Sequence, residues 1–226
     1  MTRLGRSALI SLCVIALCGG LAAAAAASKT WLLPRPPPKP ELPVKETKAP
    51  GMSQPEMEAI FARIAPALPA EVRANLGNAL LLEAARAGYD PLFLLALMSV
   101  ESGFRLTVSS ERGARGLLQL KPSTFEWISA REPDVSHDDP EQGDDPILDV
   151  RLSVRYLRWL EQRFHSRDAA LMAYNAGPRR YRQYLRRGEI PESLKDYPRR
   201  VMREYTRLLR LVAGKGDRSV LIARAP

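Results

Sequence analysis

Glu101 closes one of the most apolar stretches of the chain: "PLFLLALMS" at 91–99 runs into "VESGFRL" at 100–106. A carboxylate is among the side chains least often buried without a partner, and desolvating its charge is costly. Position alone leaves two readings open. Either Glu101 turns out to solvent as its helix ends, or it lies in a cleft where burial raises its pKa. A carboxyl of the second kind stays protonated near neutral pH and can serve as a general acid.

Other chemistries find little support. Both cysteines, Cys13 and Cys18, lie in an N-terminal apolar run, so a chain cut after that run has no thiol and no disulfide framework. His137 and His165 lack paired ligand spacing, which removes serine triads and zinc sites. No phosphate-binding or dinucleotide glycine pattern appears. Residues 138–149 span twelve positions with Gly143 sixth, as a calcium loop would. Pro140 and Gln142, however, stand where such a loop needs Asp- or Asn-type oxygens. No metal and no cofactor is expected, and carboxylate chemistry remains.

The elements that must position Glu101 are almost all helical. Ser53 and Glu56 form a capping box ahead of "QPEMEAIFARIA". Apolar Val72, Leu76, Ala79, Leu80 and Ala84 recur at helical spacing across 69–87, with Gly88 as the stop. Pro91 suits the first turn of the helix that ends near Glu101, and the all-round apolarity of that helix makes it central. "TVSSERGARGLLQL" at 107–120 reads as a loop or small hairpin. Pro122 opens another helix, and further helices are expected at 148–164, 168–176, 178–187 and 198–212. The expected class is mainly α.

Arg3 and Arg6 precede the apolar run at 7–27, the order of a signal peptide or, left uncut, of a membrane anchor. Both readings export the remainder. Residues 32–51 hold seven prolines in twenty positions, an extended spacer. The expected organisation is a signal segment at 1–28, a Pro-rich linker at 29–52, one catalytic domain at 53–213 and a flexible tail at 214–226. Charge is uneven: residues 132–149 carry eight acids and no Lys or Arg, whereas 151–226 carry nineteen Lys and Arg against seven acids. A basic exported protein suits a polyanionic polymer; the export signal argues against nucleic acid.

Three stretches, "ESGF" at 101–104, "GARGLLQL" at 113–120 and "AYNAGP" at 173–178, together with "DPILDVRLSVRYL" at 145–157, resemble the soluble-type lytic transglycosylases. The catalytic domain of that family is similar to goose-type lysozyme, and the resemblance covers roughly residues 90–205. It implies a lysozyme-like helical fold with a hairpin lining a sugar cleft, and peptidoglycan glycan strands as the partner. It makes Glu101 the single catalytic acid/base. By the same matching, Ser110 lies near that glutamate, Gln119 lines the cleft and supports it, and Tyr174, with Asn175, brings a hydroxyl near the carboxyl. Bland roles stand beside these: Ser110 as a turn residue, Gln119 satisfying backbone, Asn175 capping a helix and Tyr174 as packing. Several positions depart from the family pattern. Leu118 and Lys121 replace methionines, Asp149 and Ser153 replace asparagine and glycine, and "SLKDYPRRV" keeps only Tyr197 and Val201.

The implied reaction cuts the bond between N-acetylmuramic acid and N-acetylglucosamine and closes a 1,6-anhydro ring, with no second carboxylate needed. The location expected is the periplasm, or the inner membrane facing it. A hydrolytic lysozyme and a non-catalytic wall-binding module are the alternatives. Attachment to an envelope machine is left open by the sequence.

Overall fold

The computed structural model describes residues 52–132 and 145–214. The signal segment, nearly all of the proline-rich linker, most of the acidic loop and the tail beyond Gly214 lie outside the described residues. Within these residues the chain forms eight helices, and extended pairing is confined to isolated bridges.

Local chemistry sets most of the boundaries. Helix α1 (Gln54–Ile64) opens on the capping box, where the Glu56 carboxylate accepts from the Ser53 N–H and hydroxyl at 2.7 Å each. Helix α2 (Ala70–Ala87) follows Pro69 and stops at Gly88, whose φ of 73° is a conformation glycine adopts without penalty. Helix α3 (Pro91–Ser102) begins with Pro91 in its first turn, and the Asp90 carboxylate accepts from the Leu92 N–H at 2.8 Å. Every residue from Pro91 to Met98 is buried, so α3 is the central helix its composition predicts.

Beyond α3 the predicted hairpin appears as two antiparallel bridges, Ser109 with Arg115 and Arg115 with Leu120. Helix α4 (Pro122–Ser129) follows. Helix α5 (Pro146–Phe164) starts where Asp145 accepts from the Ile147 N–H at 2.8 Å. Helices α6 (Arg167–Ala176) and α7 (Pro178–Arg187) are separated by Gly177 alone.

The last helix differs from expectation. A helix was expected from Pro198, because proline favours a first turn. Helix α8 (Glu192–Ala213) instead starts six residues earlier and carries Pro198 inside. An interior proline costs about 3 kcal/mol. Burial of Leu194 and Tyr197 on the core side of the added turns offsets that cost. The α8 stripe of Leu194, Tyr197, Val201, Tyr205 and Leu208 packs on α3. Tyr205 donates to Asp90 Oδ2 at 3.0 Å at the start of α3, while Tyr197 meets its last turn. The two helices therefore run in opposite senses, and their register is fixed at both ends.

Candidate active site

Glu101 occupies the last turn of α3, partly buried, beside buried Ser102 and Phe104. Gly103 and Phe104 both take left-handed backbone, with φ of 59° and 65°. For a phenylalanine this is strained by about 1–3 kcal/mol. It is held there by burial against Phe61, edge to face at 6.0 Å. The strained turn swings the chain out into the hairpin and leaves Glu101 at the end of its helix. The Tyr197 hydroxyl donates to Glu101 Oε1. Burial pushes the Glu101 carboxyl up to about 7, against smaller opposing effects of the Tyr197 hydrogen bond and the Arg200 charge; Asp149 adds to the rise. Glu101 is thus the buried-carboxyl alternative of the sequence reading, a group whose titration is raised toward neutrality.

The hairpin and two helices wall this carboxyl. The Leu118 peptide is held on both sides: its N–H donates to Asp149 Oδ2 on α5 at 3.1 Å, and its carbonyl accepts from the Tyr174 hydroxyl on α6 at 2.7 Å. Gln119 follows with φ of 52°, and its Nε2 donates to the carbonyls of Val108 and Gly116 at 3.0 and 2.8 Å. An aromatic row positions Tyr174: Trp127 of α4 lies against Trp159 at 4.9 Å, Trp159 stacks on Tyr156 at 5.9 Å, and Tyr156 meets Tyr174 at 5.6 Å.

The residues singled out in the sequence take different places. Tyr174 comes close enough for the Glu101 charge to raise its hydroxyl pKa, after the larger effect of burial. Its hydrogen bond nevertheless goes to Leu118, and the tyrosine on the carboxylate is Tyr197. Gln119 clasps the backbone of its own hairpin rather than Glu101. Ser110 is exposed at the hairpin tip, its hydroxyl accepting from the Ala114 N–H at 3.0 Å. Asn175 is exposed in the last turn of α6, and the left-handed residue there is Gly177 with φ of 82°. Asn175 is therefore free of the capping role.

Two members of the cluster were missed as site residues. Tyr197 stood only as a position that keeps the family pattern; continuing the apolar stripe backwards from Val201 by four residues places it on the same face of α8. Asp149 was set aside as a departure from a family pattern, yet it is 5% exposed. Its signal was a polar pair, Asp149 and Ser153, four apart on one face and flanked by Leu148, Val150 and Leu152.

Away from the carboxyl, α7 carries five arginines and no acid. Burial, then the like charges of Arg163 and Arg186, push the Arg182 guanidinium down, so positive charge accumulates on this face.

Comparisons with known proteins agree with this geometry. A family model, the transglycosylase SLT domain, matches residues 80–195. Over 94 residues, 41% of this chain, the sequence is 32% identical to the soluble lytic murein transglycosylase of Escherichia coli (strain K12), and that stretch is 15% of the relative. The protein of the same name from Salmonella typhimurium matches to the same extent. The chain therefore spans a small part of the length of the curated relatives it matches. Among solved structures, an inactive glutamate-to-glutamine mutant of the lytic transglycosylase Slt from Pseudomonas aeruginosa gives a TM-score of 0.53 at 23% identity, covering 77% of this chain and 32% of that one. The 70 kDa soluble lytic transglycosylase from Escherichia coli gives 0.53 at 19%, covering 78% and 32%. The shared fold is lysozyme-like and helical.

Proposed function

The chain belongs to the transglycosylase SLT domain family, and from that premise we propose that it is a peptidoglycan lytic transglycosylase with Glu101 as its single acid/base. Protonated Glu101 donates to the oxygen joining N-acetylmuramic acid to N-acetylglucosamine, and the muramic N-acetyl group assists at the anomeric carbon. Glu101, now ionised, takes the proton from the 6-hydroxyl of that sugar as the 1,6-anhydro ring closes. The attacking hydroxyl is carried by the ring itself, so positioning does much of the work. Gln119, Tyr174, Asn175 and the Ser110 hairpin form the wall along which the strand lies. The apolar run at 7–27 and the proline-rich linker support an exported activity, with the domain facing the periplasm. The basic face of α7 suits a polymer bearing stem-peptide carboxylates.

One observation carries the reading: a carboxyl at the mouth of a helix, pushed up to about 7 by burial and held by a tyrosine hydroxyl. Such a group can both give and take a proton near neutral pH. Hydrolytic glycosidases mostly employ a pair of carboxylates. The buried candidate nearby, Asp149, has one oxygen on the Leu118 N–H and the other on the Ser153 hydroxyl at 3.1 Å, a poor arrangement for a base.

Digestion of purified peptidoglycan in water enriched in heavy oxygen tests the reading. Mass spectrometry is expected to find anhydro-muramic ends without label. Label in most new reducing ends makes the protein a lysozyme, and intact glycan makes it a wall-binding module.

A further inference from the structure

Asp149 is a buried titratable group that the proposed reaction does not use. It is held by specific contacts. Its Oδ2 accepts from the Leu118 N–H at 3.1 Å, and its Oδ1 from the Ser153 hydroxyl at 3.1 Å. Gly116 approaches so closely that a Cβ there would sit 2.5 Å from Oδ2. Through the Leu118 peptide the carboxylate is joined to Tyr174, whose hydroxyl takes the carbonyl of the same residue at 2.7 Å.

We propose that Asp149 is a positioning residue of this site: it clamps the turn at 116–120 against α5 and, from behind that turn, sets a negative charge that favours the protonated form of Glu101. The proposal rests on Glu101 being the acid of the reaction above, and adds to it a second carboxylate that never touches substrate.

The surrounding charges make the coupling legible. Glu101 faces Tyr197 and Arg200 from α8, Tyr174 from α6 and Asp149 from α5. Arg200 favours its ionised form and Asp149 disfavours it. Asp149 faces the backbone of Leu117 and Leu118, Ser153 on its own helix, Asp145 one turn earlier, and Tyr174. Burial raises Asp149 to about 6, the three hydrogen bonds pull it down, and Asp145 adds a smaller rise. With three hydrogen bonds to its ionised form, Asp149 gives up its proton before Glu101, so its charge is in place as Glu101 titrates. Because the two interact, their titrations belong to the pair.

Carboxyl titration by carbon-13 NMR, with side chains labelled, tests this apart from catalysis. Asp149→Asn keeps the shape and removes the charge, so the Glu101 midpoint is expected to fall by about half a unit or more. The alkaline limb of the peptidoglycan-cleavage profile should fall with it. Asp149→Ser removes the same charge with a smaller side chain and should lower the Glu101 midpoint in the same sense. That second variant keeps the test decisive should Asp149→Asn fail to fold. A Glu101 midpoint unmoved in whichever of the two folds overturns the proposal and leaves Asp149 a structural clamp. If the midpoints move in a protein that leaves glycan intact, the coupling stands and the enzymatic reading fails.

Discussion

Glu83, buried, and Glu101, partly buried, have surroundings that differ in kind. Glu83 on α2 is 1% exposed and lies among three guanidinium groups. Arg155 grips it with Nε and Nη2 at 3.2 Å each, Arg86 donates at 3.1 Å, and Arg151 lies at 3.8 Å. Glu101 on α3 has no guanidinium within ion-pair distance among the described residues. It has a tyrosine hydroxyl, the more distant charge of Arg200, and a second carboxylate behind the hairpin. Both are withdrawn from water, and only the first is met by guanidinium groups at ion-pair distance. Desolvation by itself does not make an acid, and the partners decide between an anchor and a catalyst.

The largest expected effect separates the two by activity. Glu101→Gln should lower peptidoglycan cleavage by about a hundredfold or more while leaving circular dichroism unchanged. Its stability should depend on pH in a specific sense. The folded-state pKa of Glu101 is raised from 4.5 to about 7, so the stability its neutral form contributes is complete below pH 4.5 and is lost as pH rises through 7. The amide suffers no such loss. Glu101→Gln should therefore match the parent in acid and exceed it by at most about 3 kcal/mol at about pH 8. A folded variant that keeps a tenth of the parent activity breaks the comparison.

Glu83→Gln should do the reverse. Removing one partner of a buried ion pair costs about 3–5 kcal/mol, read as a lower denaturant midpoint, while activity per folded molecule holds. Equal loss of activity in a fully folded Glu83→Gln protein would erase the contrast between anchor and acid.

The smallest effect sharpens the contrast within the site. Tyr197→Phe keeps the ring and removes one hydrogen bond, a stability loss of about 0.5–1.5 kcal/mol. That bond favours ionised Glu101, so its removal should move the alkaline limb of the pH–activity profile upward. Asp149→Asn should move it downward. A limb that falls in Tyr197→Phe would show that the hydroxyl does not favour the carboxylate form.

Much of this was legible in the sequence wherever one local rule acted alone. The capping box at Ser53, the stop at Gly88 and the starts at Pro91 and Pro122 each follow from one residue's backbone chemistry. Glu101 stood out because a charge ended an apolar run. Legibility failed where a tertiary contact overrode a local preference. Pro198 is a good first-turn residue, but burial of Leu194 and Tyr197 carried the helix through it. The resemblance puts the Tyr174 hydroxyl near Glu101 and gives Tyr197 no role there, because which of two tyrosines bonds a carboxyl depends on how α8 lies along α3. Asp149 escaped notice because nothing in its neighbours along the chain says that Leu118 donates to it.

Gly116 carries a consequence for how this sequence can change over time. Its φ of 78° is left-handed, and the space where a side chain would begin is filled by the Asp149 carboxylate at 2.5 Å. Shortening Asp149 clears the space but leaves the backbone angle, while relaxing the angle leaves the carboxylate in the way. Position 116 is therefore held by two separate constraints, only one of which a change at Asp149 relieves. A mutational library of the hairpin should return glycine there even when position 149 is randomised alongside it.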